Sequence, residues 1–429
     1  MAREMKDSGV EWIGEIPREW RTLPLGNCFL ERIEKVSDKE WEPLSVTKKG
    51  IFKQLENVAK SDAHDSRKKV CKGDFVINSR SDRKQSCGLS DFDGSVSLIN
   101  IVLKNIFYKS EYTKYLLKND GFAEEFYRWG SGIVADLWST KYSKMKKIIL
   151  PVPPLEEQEK IANYLDKKVS DIDLIIEKTK ATIEDYKKYK QSIITEAVTK
   201  GINPNVEMKD SGIEWIGEIP REWEVKKLKY VAQLNPKIDV NHLEETSEVT
   251  FTPMEKIKNG YFINNKGIWG NNNSSYTNYS ENDIVMAKVT PCFENGNIAI
   301  MKGLYNNIGF GSSELFVFRS NKKIKKEYLF YFLRNEIFKN LGKNNMTGAG
   351  GLKRVSSEFI LNFYVSVPSL EEQNQIAEYL DKKTSEIDIL ITKKEVLIAE
   401  LEEYKKSLIY ECVTGKKEVN ENVQRLFYL

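Results

Sequence analysis

The sequence has little of what enzymes commonly use for catalysis or for holding a metal ion. Its 429 residues include only two histidines, His64 and His242, and five cysteines. The cysteines are scattered, and none forms the CxxC pair of a zinc or redox site. An odd number of dispersed cysteines is typical of a reducing compartment. We therefore predict no metal site and a cytoplasmic protein.

Long apolar runs and nucleotide-binding motifs are missing as well. The sequence has no run of 18 apolar residues and no apolar signal region at its start, so we predict neither a membrane span nor export. No GxGxxG follows a predicted strand, and no GxxxxGK[ST] phosphate loop occurs. Asn203-Pro204 and Asn235-Pro236 lack the second proline and the aromatic residue that amino-group DNA methyltransferases need. The sequence thus predicts no catalytic residue and no cofactor on this chain.

An internal repeat is the main feature that the sequence does contain. Residues 5–20 (MKDSGVEWIGEIPREW) match residues 208–223 at 15 of 16 positions. Residues 155–173 match residues 370–388 at 14 of 19 positions. Between these segments the two halves are almost unrelated. Repeated frames around divergent inserts indicate two recognition modules held in one geometry.

The repeat divides the chain into seven segments, of which the two inserts are basic. Residues 21–148 hold 24 Lys and Arg against 17 Asp and Glu, and residues 224–365 hold 19 against 13, although the whole chain carries only +3. Unless this imbalance arose by chance, it is typical of anion-binding domains on a protein-facing scaffold. The segments are an N-terminal repeat (1–20), a first insert (21–150), a central long helix (151–200), a second copy of the N-terminal repeat (201–223), a second insert (224–365), a C-terminal long helix (366–415) and a tail (416–429).

The two long helical segments carry a heptad pattern. Apolar residues recur every three or four positions from Ala162 to Ala197 and from Ala377 to Cys412, and lysines interrupt both runs at equivalent places, Lys190 and Lys405. This spacing favours a coiled coil over two ordinary core helices. Because the second helix starts from the insert that follows the first helix, the pair is expected to be antiparallel, with a pseudo-two-fold axis.

The two inserts share a mixed pattern of strands and helices. Short apolar segments predict strands at 72–77, 98–103, 281–286 and 315–318, and amphipathic segments predict helices at 111–119 and 327–335. We therefore predict an α/β (α+β) fold in which two mixed α/β domains are joined by two long antiparallel coiled-coil helices.

Polar and basic loops of the inserts contain the candidate nucleic-acid contacts. Arginine can pair with guanine, and asparagine or glutamine with adenine, whereas lysine suits phosphate groups. A solvated loop would have the same composition. The residues selected on this basis are Arg80, Arg83, Lys84, Gln85, Lys141, Asn271, Asn272, Asn273, Tyr276, Lys288, Lys353 and Arg354.

The repeated segments resemble the frame of type I restriction-modification specificity subunits. The resemblance rests on both MKDSG(V/I)EWIGEIPREW copies and on PPLEEQEKIANYLDKK with its counterpart PSLEEQNQIAEYLDKK, and it covers the whole chain. It implies a non-catalytic reader of double-stranded DNA in a phage-defence system. Each insert would be a target recognition domain for one half of a bipartite asymmetric site, and the helices would set the spacer. The chain departs from the repeat at Ser366, which replaces a proline.

The resemblance also implies partners. They are two methyltransferase (modification) subunits and restriction/translocase subunits, on which S-adenosylmethionine, ATP and Mg are expected. Residues repeated on the two helices are the candidates for docking the methyltransferases, unless they only cap and solubilise the helices. They are Glu156, Glu157, Gln158, Lys167, Lys168, Glu371, Glu372, Gln373, Lys382 and Lys383.

Two other functions stay open at this point. One is a specificity module of another type of restriction-methylation system, which the partner genes would distinguish. The other is a coiled-coil scaffold with two protein-binding domains, which would bind duplex DNA weakly or without salt dependence.

Overall fold

The computed structural model describes residues 3–54, 66–132, 138–270, 275–348 and 351–419. The chain divides into two compact units. Unit 1 comprises Met1–Thr179 and Glu395–Leu429, and unit 2 comprises Lys180–Lys394. Among the described residues, no helix is apolar enough over a sufficient length to cross a membrane.

Unit 1 contains the first insert and its frame. Its strands are β1 (Met5–Asp7), β2 (Glu15–Pro17), β3 (Arg21–Pro24), β4 (Phe29–Glu31), β5 (Lys35–Val36), β6 (Leu44–Thr47), β7 (Gly50–Lys53), β8 (Arg67–Val70), β9 (Phe75–Asn78), β10 (Cys87–Leu89), β11 (Gly94–Val96), β12 (Asn100–Asn105) and β13 (Ile149–Val152), and its short helices are α1 (Ser110–Leu116), α2 (Asp120–Arg128) and α3 (Tyr142–Met145).

The central sheet of unit 1 has the order β10-β9-β12-β4 and is buried on both faces. Alternate residues of β9 point to opposite sides, as strand geometry requires. Phe75 and Ile77 pack in the large core beside the frame, whereas Val76 packs in a smaller core. A three-stranded sheet (β11-β8-β5) and the β6-β7 hairpin complete the insert.

Unit 2 repeats this plan with a larger second sheet. Its strands are β14 (Met208–Asp210), β15 (Glu218–Pro220), β16 (Glu224–Lys227), β17 (Ala232–Leu234), β18 (Glu248–Thr252), β19 (Asn265–Ile268), β20 (Thr277–Ser280), β21 (Ile284–Ala287), β22 (Ile298–Ile300), β23 (Ile308–Gly311), β24 (Leu315–Ser320), β25 (Met346–Thr347), β26 (Arg354–Val355) and β27 (Tyr364–Val367), and its short helices are α5 (Lys326–Arg334), α6 (Glu336–Asn344) and α7 (Ser357–Asn362).

The two sheets of unit 2 have the orders β17-β24-β21-β22 and β19-β18-β23-β20. The β18 and β23 strands pair in parallel, and the other pairs in these two sheets are antiparallel. Strand β21 alternates like β9, with Ile284 and Met286 in the large core and Val285 in a second one. The four predicted strands are confirmed, since they overlap β9, β21, β12 and β24. The two predicted helices are confirmed as α1 and α5.

Paired strands close each insert at its two ends. Strand β3 pairs antiparallel with β13, and β16 pairs in the same way with β27. The repeated hairpins β1-β2 and β14-β15 precede these closing strands.

The two long helices are α4 (Leu155–Lys200) and α8 (Leu370–Val413), and each contributes a segment to each unit. In unit 1, Asp173 accepts a bond from Lys405 at 2.6 Å, and in unit 2, Asp388 accepts one from Lys190 at 2.6 Å. The lysines that interrupt the heptads therefore form matching ion pairs between the helices.

Two tryptophans of the repeated N-terminal segments show the direction of the helix segments. Trp223 donates to Glu372 at the start of α8 and lies against Gly201 just after α4. Trp20 makes the matching contacts in unit 1, donating to Glu157 near the start of α4 and lying against Gly415 just after α8. The start of one helix thus lies beside the end of the other in each unit, which confirms the antiparallel pairing.

Two glutamines at the helix starts hold the inserts to the frame. The Gln373 side chain is fully buried, accepts from the Lys325 backbone N–H at 2.7 Å and donates to the carbonyls of Lys323 and Pro368. Gln158 accepts from the Lys109 N–H in the same way. These two buried side chains thus supply hydrogen-bond partners to backbone groups of the inserts.

We predict that Gln373→Ala destabilises the chain by about 1–3 kcal/mol, because it takes the hydrogen-bond partner from the Lys325 N–H and from two carbonyls. Urea unfolding followed by fluorescence or circular dichroism measures the effect, and Lys382→Ala, at an exposed position of the same helix, is the control. Equal stability of the two variants would show that the glutamine bonds contribute nothing.

Candidate nucleic-acid interface and helix surface

A polar segment follows strand β9 in unit 1 and pairs with the chain that leads into α3. The Thr140 N–H donates to the Ser79 carbonyl at 3.0 Å, and the Ser81 N–H donates to the Trp138 carbonyl at 2.9 Å. We call residues 79–85 and 138–141 the unit 1 edge. It brings the predicted Arg80–Gln85 cluster and Lys141 onto one side of unit 1.

The side chains of the unit 1 edge differ in how free they are. Arg80 pairs with Asp82 at 2.8 Å, while the Arg83 side chain is 68% exposed. Lys84 and Gln85 bind Glu124 and Asp120 on α2. Arg83 and the exposed Lys141 are therefore the predicted residues of the unit 1 edge that are most open to an external phosphate or base.

Unit 2 contains the same backbone arrangement at the equivalent place. The Val355 N–H donates to the Lys288 carbonyl at 2.9 Å, and the Thr290 N–H donates to the Lys353 carbonyl at 3.0 Å. We call residues 288–290 and 351–355 the unit 2 edge. It brings together Lys288, Lys353 and Arg354, which lie up to 66 positions apart in sequence.

An acidic partner orients Arg354 at the unit 2 edge. Its Nε and Nη2 atoms both bond Glu314, at 2.7 Å each. The Arg354 hydrogen bonds hold the pKa of the Glu314 carboxyl below its ordinary value. Two parallel bonds fix the plane of the guanidinium and leave Nη1 as its remaining edge.

The other predicted contact residues lie elsewhere. Tyr276 packs against Phe251 and Phe310, with ring centroids 5.9 and 5.4 Å away, beside the second sheet of unit 2. Asn271, Asn272 and Asn273 lie outside the described residues.

The charged residues predicted on the helices fall into three groups. Glu156, Lys167, Glu371 and Lys382 are exposed. Glu157 and Glu372 accept the tryptophan N–H groups described above, and Lys168 and Lys383 are half-buried. Gln158 and Gln373 are 1% and 0% exposed, so the structure removes them from the candidate docking surface and gives them a role inside each unit.

Exposed apolar residues are repeated on the two helices as well. Unit 1 exposes Leu174 and Ile175 beside the Asp173–Lys405 pair, and unit 2 exposes Ile389 and Leu390 beside the Asp388–Lys190 pair. Their exposed fractions are 49%, 41%, 53% and 41%. Tyr404 and Tyr189 are exposed at matching positions next to the lysines of these pairs. Large apolar side chains left in water at duplicated places are typical of a docking surface.

Several functional residues were not identified from the sequence. Trp138 is 40% exposed at the unit 1 edge, where an aromatic face can stack. Glu314 lies 40 residues before Arg354, so only the fold reveals their pairing. Tyr115 and Tyr331 donate to Asp166 and Asp381 on the long helices. The equal spacing of these tyrosines before Asn119 and Asn335 was the available signal.

Comparison with known proteins identifies relatives of the chain. Residues 220–399 match the family model for the type I restriction modification DNA specificity domain. The EcoAI specificity subunit of a type I restriction enzyme from Escherichia coli is 37% identical over 163 residues, which cover 37% of this chain and 27% of that relative. The chain thus spans about a quarter of the length of this relative.

A second relative matches along nearly its whole length. The putative type I restriction enzyme MjaX specificity subunit of Methanocaldococcus jannaschii is 26% identical over 94% of this chain and 95% of its own length. One chain of a solved structure resembles this fold with a TM-score of 0.71 and 15% sequence identity. That structure concerns the complex assembly and conformational transition of the type I R-M system. The match covers 94% of this chain and 99% of that chain, and it shows that the two share a fold.

Proposed function

We propose that this chain, which is similar to the specificity subunits of type I restriction enzymes, is the subunit that selects the DNA sequence for a type I complex. Each insert reads one half of a bipartite site in double-stranded DNA. The long helices set the number of base pairs between the halves and dock the methyltransferase subunits.

The observation that carries this proposal is the common construction of the two edges. Both are held by the same two backbone bonds after the same central strand, yet their side chains differ completely. By these bonds, Ser79, Arg80 and Ser81 of unit 1 correspond to Lys288, Val289 and Thr290 of unit 2, and Ser139 corresponds to Arg354. A fixed backbone with variable polar side chains suits two readers of different base sequences, because base edges specify and phosphates position.

Removal of two cations from the unit 2 edge tests this assignment. We expect Lys288→Ala with Lys353→Ala to weaken binding of duplex DNA at low salt and to reduce the slope of log K against log salt by about two, at nearly one counterion per phosphate contact. Fluorescence anisotropy across a salt series measures both effects.

The matched control for that experiment is Lys322→Ala with Lys323→Ala. These exposed lysines follow the far end of strand β24, about 20 Å from the edge by strand rise. An equal loss of slope in the control pair would show that binding depends on overall charge and would remove the edge from the interface.

The duplicated apolar positions support docking of two copies of one partner. Related surfaces on the two units are expected to bind related partners, because a pseudo-two-fold chain presents the same patch twice. We propose that these partners are two methyltransferase subunits, joined by restriction/translocase subunits. S-adenosylmethionine, ATP and Mg belong to those subunits, and this chain acts by binding alone.

We predict that the surface of each unit holds one methyltransferase copy. Leu174→Ser with Ile175→Ser, or Ile389→Ser with Leu390→Ser, should each reduce a complex with two copies to a complex with one, because the buried apolar contact is lost. Native mass spectrometry counts the copies, and Glu177→Ser at an exposed polar position is the control. Two copies on a variant with both pairs changed would exclude these residues from the interface.

A further inference from the structure

A buried arginine in unit 2 has no carboxylate hydrogen-bonded to its guanidinium among the described residues. Arg334 ends helix α5 and is only 7% exposed. Its Nη2 donates to the Asn259 Oδ1 at 3.0 Å, while its buried Nε has no hydrogen-bond partner. Burial lowers the pKa of the guanidinium. A buried cation with only a neutral acceptor is costly, since a carboxylate or another oxyanion normally compensates it.

The surroundings of Arg334 form a built site. The guanidinium carbon lies 4.8 Å from the ring centroid of Phe330 and 5.5 Å from that of Tyr331. Gly260, at a φ of +104°, allows the backbone to pass so close that a Cβ there would lie 3.2 Å from Nη2. Aromatic faces and a close glycine thus hold the charged group in one position.

A cavity of about 500 Å³ opens beside this arginine. The two acids that line it have other hydrogen-bond partners, because Asp381 accepts from the Tyr331 hydroxyl at 2.5 Å and Asp388 accepts from Lys190. The cavity is also lined by Lys393 and by Ile389, which belongs to the apolar docking pair. Three cations, Arg334, Lys190 and Lys393, thus line this cavity with two carboxylates, and the cavity continues into the proposed docking surface.

Unit 1 shows no equivalent of this arrangement among its described residues. Asn119 and Asn335 cap the equivalent helices α2 and α6, and the residues just before them are Lys118 and Arg334. The loop that carries Asn259 and Gly260 belongs to the second insert. The duplicated surfaces are thus alike in their exposed apolar residues and differ at the position of Arg334.

We propose that the Arg334 cavity receives a carboxylate side chain of the methyltransferase subunit docked on unit 2. This proposal rests on the docking function given above and goes beyond it, because it makes the two docked copies unequal. The copy on unit 2 places an acidic side chain against Arg334, and the copy on unit 1 has no such contact.

Asn259→Asp is the sharpest test, because it supplies a carboxylate from within the chain at the atom that already touches Arg334. On the background Leu174→Ser with Ile175→Ser, which leaves one docking surface, the variant should raise the melting temperature of the chain. It should also weaken methyltransferase binding at least about tenfold, since the arginine is already neutralised. Arg334→Met on the same background should weaken binding by a similar factor, measured by isothermal titration.

The control is Lys118→Met on the background Ile389→Ser with Leu390→Ser, where binding should stay unchanged. Unaltered binding by both Asn259→Asp and Arg334→Met would overturn the proposal while leaving the docking function intact. Absence of binding by the parent background would instead contradict the docking function. The proposal also fails if Arg334→Met lowers the affinity for DNA but not for the methyltransferase. It fails as well if only inorganic phosphate stabilises the chain through Arg334, because the occupant is then not a partner carboxylate.

Discussion

Exchange of residues 224–365 for the second insert of a relative should replace one half of the methylated sequence and leave the other half unchanged. The exchanged segment begins at the closing strand β16 and ends within its partner β27, so the join falls within a paired frame. It also carries the whole unit 2 edge. A full change of half-site is the largest alteration of specificity that one exchange can make, because each wrong base pair costs about 1–3 kcal/mol.

A donor insert must provide the residues that bind the second insert to the two long helices. Tyr328 donates to the Val198 carbonyl, Tyr331 donates to Asp381, and the Lys325 N–H binds Gln373. A donor with tyrosines at both places should dock correctly, and a donor without them is the control that should lose activity. Long-read sequencing of methylated DNA gives the outcome. Changes in both halves, or in neither, would refute independent reading by the two units.

Longer helices should widen the gap between the half-sites. Helices α4 and α8 contain 46 and 44 residues, close to 70 Å at 1.5 Å per residue. Four residues inserted after Thr182 and four after Leu397 add roughly 6 Å, or one to two base pairs at about 3.4 Å each. Both insertions fall in the chain between the lysines and aspartates of the two interhelical ion pairs.

The insertion at only one of the two positions is the matched control for the helix prediction. It shifts one heptad stripe against the other, and we expect it to destabilise the pair and abolish methylation. The double insertion should restore methylation with both half-sites intact and a wider gap. Restored methylation with the original gap would show that the helices do not set the spacing.

Local sequence patterns predicted the frame because its signals are local. The heptad pattern predicted both long helices. The equivalent lysines Lys190 and Lys405, which interrupt that pattern, form ion pairs with aspartates of the opposite helix. The strand at β9 and the helix at α1 followed from short apolar and amphipathic segments. Each of these elements depends on residues close together in the chain.

The site could not be predicted as fully, because its contacts join distant residues. Nothing near Lys288 indicates that Arg354 pairs with Glu314 beside it. The sequence analysis selects Gln158 and Gln373 for the docking surface because they are repeated on the two helices. Both are buried because the inserts present backbone N–H groups that need acceptors at these helix starts. Lys84 and Gln85 are engaged by acids of α2 for the same non-local reason.

The central claim is that two different edges on one frame read two halves of one DNA site. Its most direct test is the methylated sequence in a host that carries only this chain and its methyltransferase subunit. We predict one motif made of two different specified halves separated by a fixed number of unspecified base pairs, with a modified adenine in each half. A single continuous motif, two identical halves, or no motif that depends on this chain would contradict it.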